Sequence, residues 1–128
     1  MAEIPSGERY QHALGTMKTS RALTPTLLKM LRAHYAAPAR TLTTNELRTV
    51  MGWETHSRVN SSYGGFGKSL AARMQWKVPE GEPQASTVVT FQGGDPEDPE
   101  TKWIMRPEVA SALVAHGFVL PKAESASE

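Results

Sequence analysis

Cysteine is absent from the sequence, which excludes disulfides, thiolate metal sites and thiol chemistry. No apolar run reaches the length of a membrane span. The opening "MAEIPSGERY" has neither the basic start nor the apolar middle of a secretion signal, so a cytoplasmic protein without a membrane partner is expected. The four histidines, His12, His34, His56 and His116, are scattered, and no metal site, cofactor or catalytic set is read from them. His34 falls on an apolar stripe and is expected in the core. Acids are missing from Thr55 to Pro79, and that gap belongs to a wider segregation. Ser20 to Pro79 holds nine Lys/Arg and two acids, whereas Glu80 to Glu128 holds three against nine. Charge asymmetry of this kind points to nucleic acid or to a charged protein partner.

"SSYGGFGKS" ends in Gly67-Lys68-Ser69, as a phosphate-binding loop does, but Ser62 stands where the opening glycine belongs. Such a loop follows a buried strand that aims backbone N–H groups at the phosphates. Here "GWETHSRVNS" precedes it, which is polar, and no apolar run ending in Asp follows to hold magnesium. Nucleotide hydrolysis is therefore the weakest reading.

The local patterns predict a short helix over Glu8–Lys18 with Tyr10, Leu14 and Met17 on one side. A helix starts at Thr24-Pro25, carries Leu27, Leu28, Leu31, His34 and Tyr35 inward, and stops before Pro38. The next, Thr44–Met51, has a capping box from Thr43 and Glu46, closes at Gly52, and turns Leu47, Val50 and Met51 inward. From Ser57 to Met74, Val59, Tyr63, Phe66, Leu70 and Met74 recur at helical steps, while three glycines predict a break near Tyr63–Gly67. "STVVTFQ" (Ser86–Gln92) and "TKWIM" (Thr101–Met105) predict a hairpin across an acidic turn. "RPEVASALVAHGF" predicts a last helix from Pro107 to Gly117.

This order gives an α+β fold laid out as a winged helix-turn-helix: three helices, a β-hairpin wing and a C-terminal helix. That unit spans residues 20–120, after an N-terminal segment over 1–19 and before a disordered tail over 121–128. In such a motif the last of the three helices enters the major groove. Its face opposite the apolar stripe is basic and hydroxyl-bearing. Arg58, Lys68 and Arg73 are candidates for phosphates, and Asn60, Ser61 and Ser62 for base edges, with Ser69 beside them. Asn60, Gly64, Gly67 and Ala71 form a second, small-residue stripe that a backbone can approach. The hairpin tip disagrees with a DNA contact, because Asp95, Glu97, Asp98 and Glu100 would repel phosphate.

Three blocks carry a resemblance: "LTPTLLKMLRAHYAAPARTLTTNELRTVMGW", "VNSSYGGFGKSLA" and "WIMRPEVASALVAHGF". Over about Leu23 to Val119 the chain resembles a small winged-helix-like module found beside HNH-type restriction endonucleases and as stand-alone bacterial or phage proteins. The resemblance implies a DNA-associated accessory role without the HNH catalytic residues. The leading expectation is thus a non-enzymatic, phage- or restriction-associated protein that binds double-stranded DNA, a homodimer being one form such proteins take. The competing expectation is a phage-type inhibitor or adaptor, of the anti-CRISPR or polymerase-binding kind, which holds a basic protein surface through Asp95, Glu97, Asp98 and Glu100.

Overall fold

The computed structural model describes residues 5–93, 95 and 98–120. The first helix, α1 (Gly7–Thr19), is capped by Ser6, whose side chain accepts from the Arg9 amide, and it buries Tyr10, Ala13, Leu14 and Met17. Helix α2 (Pro25–Ala36) starts as its sequence indicates, with the Thr24 hydroxyl accepting from the Leu27 amide at 3.1 Å. Pro38 follows its end, and a 3-10 turn at Pro38–Arg40 leads into a short strand, β1 (Thr41–Thr43).

Helix α3 (Thr44–Met51) has the complete capping box, and Gly52 closes it at φ 71°, a left-handed conformation that glycine adopts without strain. Helix α4 (Ser57–Arg73) comes next. After a 3-10 turn at Gln84–Thr87, strands β2 (Val89–Gln92) and β3 (Lys102–Met105) form the hairpin, and α5 (Pro107–Ala115) is the last element among the described residues. Among the described residues the architecture is α+β, with five α-helices and a three-stranded antiparallel sheet in the order β1-β3-β2. Leu42 and Phe91 both sit opposite Trp103 across the central strand.

One core cluster joins all five helices and the hairpin, and Tyr10, Leu31, Leu47, Tyr63, Trp103 and Leu113 each contribute to it. Several expectations are corrected. Helix α4 runs without a break through Gly64, Gly65 and Gly67. Burial of Tyr63, Phe66 and Leu70 on one side outweighs a glycine cost of about 1 kcal/mol each. Gly67 has a specific reason to be glycine, since a Cβ there would collide with the Gln84 carbonyl oxygen.

The strand expected from Ser86 begins only at Val89. Ser86 and Thr87 belong instead to the 3-10 turn, where the Ser86 hydroxyl donates to the Pro83 carbonyl at 2.7 Å. Val50 is not inward but 38 % exposed. The tail Pro121–Glu128 lies outside the described residues.

Candidate nucleic-acid interface on α4

The inner face of α4 is fixed by a polar contact set inside the core. The Tyr63 hydroxyl lies 3.0 Å from His34 Nδ1, and His34 Nε2 lies 2.8 Å from the Trp103 carbonyl. A carbonyl only accepts, so Nε2 carries the proton and Nδ1 accepts from Tyr63. This requires neutral His34. Burial lowers the imidazole pKa to about 4, against a weaker opposite pull from the Trp103 and Arg40 carbonyls. Burial also raises the Tyr63 phenol above its ordinary value. One imidazole thereby pins α2, α4 and β3 to each other and sets the rotation of α4 about its axis. Trp103 adds a third tie, donating from Nε1 to Thr44 Oγ1 at 2.7 Å.

The turn between α3 and α4 is braced as well. Arg48 donates to Asn45 Oδ1 and to the Trp53 carbonyl, and His56 Nε2 lies 3.3 Å from the same Asn45 oxygen. The Arg58 guanidinium stacks on the Trp53 ring at 4.8 Å from its centroid, which holds it over the start of α4. Asn45, Arg48, Trp53 and His56 hence position the helix. The local sequence marks none of the first three as more than a helix or turn residue, because the bonds among them depend on the turn geometry.

With the inner face fixed, the outer face follows from helical spacing. Arg58, Ser61 and Lys68 are exposed, and Ser62 and Ser69 are half-buried on the same side. No acid occurs in the first turn of α4 and no side chain caps it, whereas α1, α2 and α3 each have a side-chain cap. Added Cβ atoms at Gly64 and Gly65 would meet open space, so a ligand can approach the backbone there.

Asn60 sits apart from that group, while Arg73 continues its side of the helix one turn beyond Ser69. Asn60 falls on the side shared with Gly64, Gly67 and Ala71, and its Nδ2 is enclosed without a hydrogen-bond partner among the described residues. The small-residue stripe is approached by a backbone, but it is this chain's own, at Gln84–Ala85. Arg73 is exposed and lies fifteen residues beyond Arg58, about 22 Å along the axis. Its guanidinium bonds to Ser69 on α4 and to Thr16 and Ser20 at α1.

The acidic turn is hydrogen-bonded at both ends. The Thr101 hydroxyl donates to the Asp95 carbonyl at 2.6 Å, and the Glu100 amide donates to Asp98 Oδ1 at 2.9 Å. The Thr44 and Asn45 amides at the start of α3 donate to the Thr101 and Pro99 carbonyls. Asp95, Asp98 and Glu100 are exposed, and Glu97 lies outside the described residues.

Among the described residues no group of three or more His, Asp or Glu is placed to hold a metal ion, and no helix is long and apolar enough to cross a membrane. No protein-family model matches the chain, and no curated protein and no solved structure matches it.

Proposed function

We propose that this is a winged helix-turn-helix protein, not an enzyme, that binds double-stranded DNA by laying the outward face of α4 in the major groove. One observation carries the reading. A continuous helix of 17 residues presents Arg58, Ser61, Ser62, Lys68 and Ser69 outward with no acid among them. The arrangement of α2, β1, α3, α4, β2 and β3, with β3 central in the sheet, agrees with a winged helix, in which α3 and α4 form the DNA-binding pair.

Guanidinium and ammonium groups supply the attraction to phosphate, and hydroxyls hydrogen-bond to phosphate or base edges. The uncapped start of α4 adds amide groups that favour an anion. Restriction or phage biology is the setting we assign, in line with the sequence resemblance, and the cytoplasm is the compartment.

Binding of a labelled mixed-sequence duplex across a salt series tests this. Affinity is expected to fall as salt rises, and Arg58→Ala and Lys68→Ala each to lower the magnitude of the salt slope by about one. Absence of binding at low salt overturns the reading.

The built acidic turn favours one alternative, an inhibitor that offers its carboxylates to a basic protein groove. Asp95→Asn, Asp98→Asn and Glu100→Gln together leave duplex affinity intact or raise it if α4 is the site. Loss of a biological activity that does not track duplex binding favours the inhibitor.

A further inference from the structure

Helix α1 and the last turn of α4 flank an open groove of about 1180 Å³, and none of Arg58, Ser61, Ser62, Lys68 and Ser69 lines it. Arg73 lines it, and also lines a smaller groove of about 380 Å³ next to Arg9 and His12. The guanidinium is held by hydroxyls: Nε donates to Ser69 Oγ at 3.3 Å, Nη1 to Thr16 Oγ1 at 3.2 Å and Nη2 to Ser20 Oγ at 3.4 Å. The Thr16 and Ser20 hydroxyl protons go to the Ala13 and Met17 carbonyls, so both oxygens are free to accept from Arg73.

Hydroxyls orient a guanidinium without neutralising it, as a carboxylate would. Among the described residues three of its five N–H groups are used, which leaves one on each terminal nitrogen. Lys18 and His12 add positive or neutral donors to the groove walls. Glu8 is the acid there, and Arg73 bonds to hydroxyls rather than to it.

We infer that this groove is a phosphate-binding site with Arg73 as its anchor. Paired N–H donors on a planar, permanently charged group match the oxygens of a phosphate, and the surrounding hydroxyls supply further contacts. The phosphate has two sources, a free phosphomonoester or the backbone of a polynucleotide. The second is compatible with the length of α4. The helix is about 25 Å long and the major groove about 12 Å wide, so Arg73 would meet the flanking backbone rather than base edges. The site itself rests on the α1–α4 geometry and stands whether or not the outward face of α4 binds a duplex.

The test titrates the full-length chain with inorganic phosphate and with pyrophosphate against chloride at equal ionic strength, following the Thr16, Ser20 and Arg73 amide signals by NMR. Arg73→Gln and Arg73→Lys are run alongside, with circular dichroism melts to check folding, and each is also measured for duplex affinity across salt. Saturable shifts that weaken by about tenfold or more in Arg73→Gln, and partly in Arg73→Lys, identify a free phosphate ligand.

No phosphate shift, with duplex affinity lowered in Arg73→Lys although the charge is kept, identifies a polynucleotide phosphate. No saturable shift in the wild type together with unchanged duplex affinity in Arg73→Lys overturns the site. Phosphate binding through Arg73 in a chain that binds no duplex would leave this site intact and remove only the proposed function of α4.

Discussion

Gly67 and His34 show how single residues set the fold. A methyl group on Gly67 would overlap the Gln84 carbonyl, so Gly67→Ala is expected to cost on the order of 1–3 kcal/mol by overpacking. Gly64→Ala and Gly65→Ala meet open space and gain helix propensity, so each should stabilise by up to about 1 kcal/mol. Chemical denaturation of the three variants checks both signs, and stabilisation by Gly67→Ala would contradict the packing. The sequence shows three glycines alike; which one faces a backbone depends on where Gln84 returns, and no local pattern records that.

His34 was legible as a core residue from its stripe, and it is 0 % exposed. Its pH effect needs the structure. The unfolded imidazole titrates near 6.5 and the folded one near 4, so the unfolded chain binds the proton first. The stability from neutral His34 is whole above about pH 6.5 and is lost as pH falls towards about 4, a change on the order of 3 kcal/mol. His34→Gln should be less stable near neutrality and should lose less on acidification; a loss equal to that of the wild type would contradict this role.

At the scale of elements, the parts with local signatures were the readable ones. Thr24-Pro25 starts α2, Thr43 and Glu46 box α3, Gly52 closes it and Pro107 opens α5, each a signal contained within a few residues. Strand β1 has only three residues, too few for an alternating pattern, and it exists because β3 pairs with it. Val50 satisfied the helical spacing yet is turned outward, because the rotation of α3 is fixed by Leu47 and Thr44 in the core. The outward face of α4 was legible once its apolar stripe was known. The attachment of Arg73 to α1 was not, since Thr16 and Ser20 are more than fifty residues away in sequence. Within α4, Arg58→Ala is expected to weaken duplex binding similarly across sequences, about as expected for one phosphate contact. Replacing Trp53 with Leu should reproduce part of that loss, because it removes the ring that holds Arg58. Full affinity in Trp53→Leu would show that the stacking does not position the guanidinium.

The whole molecule is close to neutral, +1 by formal count, with its positive charge concentrated between Ser20 and Pro79. Segregation is what makes a duplex-binding face compatible with so small a net charge, because attraction to phosphate depends on the local surface and decays within about 10 Å at moderate salt. The acidic turn is the counterweight, tied by Thr101 and Pro99 to the start of α3. Removing its charge should therefore strengthen duplex binding if that turn lies near the bound backbone. The most direct test of the central claim is the affinity of the full-length chain for a mixed-sequence duplex as salt is raised, measured with wild type and with the Arg58→Ala, Lys68→Ala pair. The expected result is a linear fall of log affinity with log salt, with the slope shallower by about two in the double variant. Binding that is absent at low salt, or a slope the double variant leaves unchanged, would contradict α4 as a DNA-binding helix.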